Sequence, residues 1–246
     1  MIGKTNLKVL ILDTDFYARQ AISSYLAWDR RTRVVFLADS INAVMDYVRD
    51  TPEVEWPDVV LLDALAAETP EALGDLIKHI ENTIPKVMTM VLDRRLNLEM
   101  LRAALHADAN GYLLRDDVRI RIAWAIVWAR DHEFVITEGV KAVLPEEFDG
   151  RLFHSAVLPH QRAYPELPDR VRQALQLCVV EGMSAELAAD EMGLSPHTVR
   201  SYVKEGYRIL EAYDNTVYPS DMSPQERAFM RFTALERDRQ ENQQQD

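Results

Sequence analysis

The chain of 246 residues has one cysteine, Cys178, so it can form no internal disulfide, which fits a reducing, cytoplasmic setting. No apolar run approaches the ~18 residues that would read as a membrane span. The N-terminal "MIGKTNLKVLILD" runs quickly into acids and lacks the layout of a signal peptide. Glycine is scarce, at 8 residues, and none forms a phosphate-cradling loop. The 6 histidines have no metal-ligand spacing. Classical enzyme chemistry therefore has no visible carrier, and no enzyme activity is expected. Basic residues are also in deficit: 28 Lys and Arg face 40 Asp and Glu, a net charge of −12. That argues against broad attraction to nucleic acid, which favours clustered cations. What remains is ordinary globular composition, 48% hydrophobic and 28% charged, with length for about two domains.

The first half alternates short apolar runs with segments of helical spacing. The runs "LKVLIL" (7–12), "RVVFLA" (33–38), "DVVLLD" (58–63), "KVMTMVL" (86–92) and "GYLL" (111–114) read as strands. Helical stretches follow at 16–29, 41–50, 69–82, 96–107 and 117–131, the third opened by Thr69 as cap and Pro70 at its first position. Five strand–helix units with fully apolar strands predict a doubly wound, flavodoxin-like parallel sheet covered on both faces. In such sheets, sites form beyond the carboxyl ends of the strands. Asp13 and Asp15 follow the first strand there, and Asp63 ends the third.

"KVLILDTDFYARQAISSYL", "PDVVLLD" and "NGYLLRDD" together resemble the receiver domain of bacterial response regulators of the NarL type, over roughly residues 5 to 131. The resemblance implies that Asp63 occupies the phosphoacceptor position and Asp13 the first acid position, so that Asp13 and Asp63 would hold Mg²⁺ if the site functions. The second acid position carries Thr14, with Asp15 one residue further. The lysine position carries Arg115, and the aromatic switch position Tyr112. The switch hydroxyl should stand 22 positions before Arg115, where "MVLDRR" has Asp93. A carboxylate there repels a phosphoryl group, which brings about −1.5 to −2 charge of its own. The departures point to a degenerate receiver that needs no cofactor. In it, Arg115 is expected to bridge Asp63 and Asp93, replacing the phosphate–lysine contact.

Residues 132–165 are mixed and carry Pro145, Pro159 and Pro165; they read as a linker holding a short helix at "EGVKAVL". Residues 166–214 are helical. Ser184 is placed to cap one helix, Gly193 to make a turn, and Ser195 with Pro196 to start the next. "GMSAELAADEMGLSPHTVRSYV" resembles the LuxR-type helix-turn-helix that ends NarL-type regulators, and region 4 of sigma factors uses a similar pattern. Leu187, Ala188, Met192, Leu194 and Val199 have the spacing of its core. By resemblance, the DNA-facing residues are His197, Thr198, Arg200, Ser201, Lys204 and Arg208. The segment nevertheless holds five basic against nine acidic side chains. Residues 215–246 read as a separate extension, with a capped helix over 223–240 whose apolar stripe holds Ala228, Phe229, Phe232 and Leu235, and a disordered "ENQQQD" tail.

The expectation is a DNA-binding transcription regulator: a receiver-like domain (1–131), the linker, and an all-α helix-turn-helix domain (166–214). It would act on double-stranded DNA as a homodimer, controlled by dimerisation, ligand or partner rather than by ordinary phosphorylation. Two alternatives stand beside it. One is a conventional two-component regulator phosphorylated on Asp63. The other is an interaction protein that binds RNA polymerase, a sigma factor or another regulator and hardly touches DNA.

Overall fold

The computed structural model describes residues 6–145, 148–214 and 216–236. The chain divides into two compact units between Pro159 and His160.

The first unit runs β1 (Leu7–Leu12), α1 (Phe16–Ala27), β2 (Thr32–Ala38), α2 (Ile41–Asp50), β3 (Val59–Asp63), α3 (Pro70–Thr83), β4 (Met88–Asp93), α4 (Leu98–His106) and β5 (Gly111–Leu114). A one-turn helix α5 (Arg115–Val118), α6 (Ile122–Ala129), β6 (Val135–Ile136), α7 (Glu138–Lys141) and β7 (Ala156–Val157) complete it. The sheet order is β2-β1-β3-β4-β5-β6-β7, with every pair parallel. Alternate strand residues face opposite ways. Leu10, Leu12, Val60, Leu62 and Val91 share one core with Val44 and Val48 of α2, Leu73, Ile77 and Ile80 of α3, and Leu101 and Ala104 of α4. α1 and α6 pack on each other and bury Leu26, Ala125, Ile126 and Ala129.

The sheet has seven strands, not the expected five. Residues 132–159, read from sequence as linker, belong to this unit and supply β6 and β7. Strands of two residues carry no alternating pattern, so only their pairing reveals them. Within the expected linker, α7 lies where "EGVKAVL" predicted a short helix. The β5–β6 register sets Gly111 beside Val135 and Tyr112 beside Ile136. A Cβ on Gly111 would stand 2.8 Å from the Val135 carbonyl oxygen, a backbone atom that cannot swing aside. Gly111→Ala is therefore expected to cost this unit about 1–3 kcal/mol by overpacking. Urea unfolding measures it, and an unchanged midpoint would show that β6 is not held against β5.

The second unit contains α8 (Asp169–Leu175), continued by a π-helical turn over Gln176–Val180, then α9 (Ala185–Met192), α10 (Pro196–Tyr213) and α11 (Pro224–Phe232). Ser184 and Ser195 cap α9 and α10 as expected, accepting from the N–H groups of Leu187 and Thr198. Gly193 ends α9 with φ 65°, a left-handed conformation open to glycine at little cost. The helix-turn-helix core joins Ala188, Ala189, Met192 and Val199 with Leu194. Leu187, expected in that core, is 61% exposed. Capping at Ser184 fixes the phase of α9 and turns Ala188, Ala189 and Met192 inward, leaving position 187 outside.

The extension over 216–236 is not a separate element but part of this unit. Ser223 and Glu226 form the reciprocal capping box predicted for α11. Ala228, Phe229, Phe232 and Leu235 are all buried. The helix stops at Phe232, well short of the expected residue 240. The Tyr164 hydroxyl donates to the Arg231 carbonyl at 2.6 Å, Thr233 bonds back to Phe229, and the chain leaves to bridge Leu235 with Gln161. Beneath it, buried Asp214 faces Arg162 at 3.3 Å and Arg231 at 3.4 Å and accepts from Thr216 and Tyr218. Residues 237–240 and the "ENQQQD" tail lie outside the described residues.

Candidate regulatory site and nucleic-acid interface

β1 and β3 are neighbours in the sheet, with Leu12 in register with Leu62. The residues that end them, Asp13 and Asp63, therefore meet at the switch point of the sheet, where a crevice is expected. Both are nearly fully buried, at 1% and 2% exposure. Two buried carboxylates repel strongly unless a cation lies between them. Arg115, from the first turn after β5, supplies it. Its Nη2 lies 2.6 Å from Asp13 Oδ2 and 2.7 Å from Asp63 Oδ1. The Asp13 contact is a well-aligned hydrogen bond. The Asp63 contact is an ion pair off the N–H direction, which leaves both Asp63 oxygens without a proper hydrogen bond. Burial pushes the Asp63 carboxyl above the usual carboxylate range, the Arg115 charge pulls it down, and Asp13 pushes it up again.

The expected bridge is thus present with one partner corrected. Arg115 joins Asp63 to Asp13, not to Asp93. Asp93, 6% exposed, is taken by Tyr112, whose hydroxyl donates to its Oδ2. Tyr112 is fully buried, and its hydroxyl is held far above its ordinary value by burial and then by Asp93, so it remains a donor. The carboxylate at the switch position is therefore engaged internally by the aromatic side chain. The other candidates divide. Thr14 is exposed and joins neither group. Asp15 caps α1, accepting from the N–H groups of Tyr17 and Ala18, and pairs with Arg94 at 2.7 Å. The Ala18 N–H and then Arg94 hold its carboxyl below the usual range. Sequence reasoning missed Arg94, and also Arg19, which donates to the Asp13 carbonyl. Neither was marked by more than its place beside a strand tip.

Magnesium would have to displace Arg115 from this arrangement. It requires near-octahedral oxygen ligands at about 2.0–2.1 Å. Arg115 faces one oxygen of each acid, Asp13 Oδ2 and Asp63 Oδ1; Asp13 Oδ1 accepts from the Asp15 N–H at 2.8 Å, and Asp15 is spent on its helix cap and Arg94. Among the described residues no three His, Cys, Asp or Glu side chains are grouped to hold a metal.

In the second unit α10 presents one polar face. His197, Arg200, Ser201, Lys204 and Arg208 are exposed on it, while Thr198 is half-buried with its hydroxyl 2.8 Å from Ser195 Oγ. Ser201 Oγ bonds back to the His197 carbonyl at 3.0 Å. Arg200 is ion-paired with Glu186 of α9. Arg208 forks onto Glu205 at 2.6 and 3.0 Å. Lys204 has no ion-pair partner among the described residues.

Residues 161–210 match the family model described as sigma-70, region 4. Over 198 residues, 80% of this chain and 85% of the relative, the chain is 26% identical to the DNA-binding transcriptional activator DevR/DosR of Mycobacterium tuberculosis. A solved structure of the RcsB response regulator of Salmonella typhimurium, described in terms of its conformational dynamism for DNA interaction, matches with a TM-score of 0.50 and 19% identity. That match covers 86% of this chain and 95% of the other and bears on the fold. The isolated receiver domain of RcsB from Salmonella enterica serovar Typhimurium matches 57% of this chain and all of its own, with a TM-score of 0.48 and 21% identity. No helix among the described residues is long and apolar enough to cross a membrane. In architecture the chain is a receiver-type α/β unit that runs to Pro159, followed by a helix-turn-helix unit, the arrangement it shares with the matched response-regulator structure.

Proposed function

We propose that the chain is a cytoplasmic DNA-binding transcription regulator whose receiver-type unit works without ordinary aspartyl phosphorylation. The observation that carries the DNA reading is α10. It follows a short helix and a glycine turn, and it holds Arg200, Lys204 and Arg208 with Ser201 and His197 on one exposed face. Such a helix fits the major groove, where arginine reads guanine bidentately and lysine meets a base or phosphate. One copy of so acidic a unit binds weakly. A homodimer that sets two recognition helices on a pseudo-palindromic site multiplies the affinity. The DNA-binding name of the mycobacterial relative supports the same reading.

The control reading rests on Arg115. A phosphoryl group entering at Asp63 must displace a guanidinium bound to two buried carboxylates, next to an Asp93 that offers no donor. The internal ion pair instead fixes the unit in one arrangement, and control passes to dimerisation, a ligand or a protein partner such as RNA polymerase. Incubation of the folded protein with a small-molecule phosphodonor and Mg²⁺, read by intact mass beside an Asp63→Ala control, tests this. The expected result is no phosphoryl adduct. An adduct lost in the control would restore the conventional two-component reading.

A further inference from the structure

We infer that Glu186 is a specificity residue of the DNA-facing helix. It holds Arg200 in an internal ion pair, so that DNA gains that arginine only where its own contacts outcompete the carboxylate. The inference rests on the DNA-binding reading above and deepens it.

Three observations carry it. Arg200 lies on the outer face of α10, yet its guanidinium is engaged by Glu186, which projects from the first turn of the neighbouring α9. Both side chains are more than half exposed, at 59% and 61%, so the pair is a surface contact that a ligand can reach and exchange. Arg208 is engaged in the same manner by Glu205 on its own helix. Of the three arginine and lysine side chains on this face, only Lys204 stands without a carboxylate among the described residues.

The physical consequence follows from how proteins bind duplexes. Non-specific binding is driven by counterion release as free cations meet phosphates. A cation already paired with a carboxylate contributes little until the pair opens. Exposed pairs hold by roughly fivefold or less, so Glu186 sets a threshold and does not block the helix. A bidentate arginine–guanine contact is worth about five- to a hundredfold and clears that threshold, whereas an isolated phosphate contact barely does. The carboxylate thus subtracts more from random sequence than from a matching site. The opposing account is that Glu186 merely assists the start of α9, where a helix dipole favours an acid. Its carboxyl does lie below the usual range, first through its own backbone N–H and then through the Arg200 charge. Stability alone, however, does not alter the salt dependence of DNA binding.

The test uses the full chain and a labelled random-sequence duplex, followed by fluorescence anisotropy across a salt series. Glu186→Gln is compared with Glu191→Gln, which removes the same formal charge from the exposed face of α9 where no arginine is paired. Glu186→Gln is expected to bind about two- to fivefold tighter, with a log–log salt slope steeper by about 0.9 for one extra phosphate contact. Glu191→Gln should leave the slope unchanged. Equal tightening and equal slopes in the two variants would overturn the inference, leaving Glu186 as general negative charge. Salt-insensitive or absent binding by all three proteins would overturn the DNA-binding reading and the inference with it. If Glu186→Gln fails to fold, Glu205→Gln, in mid-helix and away from any cap, carries the same comparison through Arg208.

Discussion

Replacing Arg115 with methionine is expected to cost the α/β unit about 3–5 kcal/mol, because it strips the shared cation from two buried carboxylates. Exposed ion pairs are worth about 0–1 kcal/mol, so the two possibilities are well separated. Arg115 itself is 17% exposed and each acid 1%, which puts the group in the buried class. The loss should depend on pH in a definite direction. Asp63 already binds its proton more tightly in the folded chain than its ordinary value allows, and Arg115 is the charge that restrains this. Removing the arginine raises the folded value further. A carboxyl raised by folding favours the folded state below its unfolded value and loses that contribution as pH rises through the folded one. The variant should therefore be weakest near neutral pH and recover stability as pH falls toward about 4. Adding Asp63→Asn to Arg115→Met removes one of the two stranded charges and should return a large part of the loss at neutral pH. Urea unfolding at several pH values measures all of this. A loss under about 1 kcal/mol with no pH dependence would mean that Arg115 does not balance these acids, and the control reading would lose its support.

How much of this site was readable beforehand follows from which levels of structure each feature depends on. The strand tips were legible because apolar runs ending in Asp13 and Asp63 mark themselves, and a parallel sheet gathers such tips in one crevice. The cation was legible as Arg115, but its partner was not. Which acid a guanidinium reaches depends on what else claims the alternatives, and Tyr112 claims Asp93 from within the same strand pair. The Tyr112 hydroxyl is as ordinary in sequence as any strand aromatic. The same limit explains β6 and β7, whose two-residue pairings exist only in tertiary structure. Leu187 failed for another reason: the cap at Ser184 was read correctly, but with about 3.6 residues per turn the inward face of α9 centres on Ala188, Ala189 and Met192 and leaves position 187 outside it. Helix starts were the most readable feature. Thr69, Ser184, Ser195 and Ser223 each act as the cap their neighbours implied, because capping is local chemistry between residues three apart.

Phe229→Ala is expected to destabilise the helix-turn-helix unit by about 3–5 kcal/mol, the usual cost of emptying a buried aromatic site. Phe229 is 1% exposed, and α11 packs on α10 and on the π-helical turn after α8. The extension therefore completes the hydrophobic core of the DNA-facing unit and is not an appendage to it. Around it, polar contacts fix the geometry: Asp214 between Arg162 and Arg231, the Tyr164 hydroxyl on the Arg231 carbonyl, and Gln225 on the carbonyl of Cys178. These ties join the segment that precedes α8 to the segment that follows α10, so the C-terminal residues fasten both ends of the three-helix core. Thermal unfolding of the isolated residues 160–236, with and without the substitution, would register the loss. DNA affinity at a temperature where the variant remains folded should change little, since Phe229 is buried while the DNA-facing residues of α10 lie on its exposed face. A variant of unchanged stability would return the extension to the status of a separate element. A variant that stays folded but loses DNA binding would instead make α11 part of the recognition surface, a role the burial of its apolar stripe argues against.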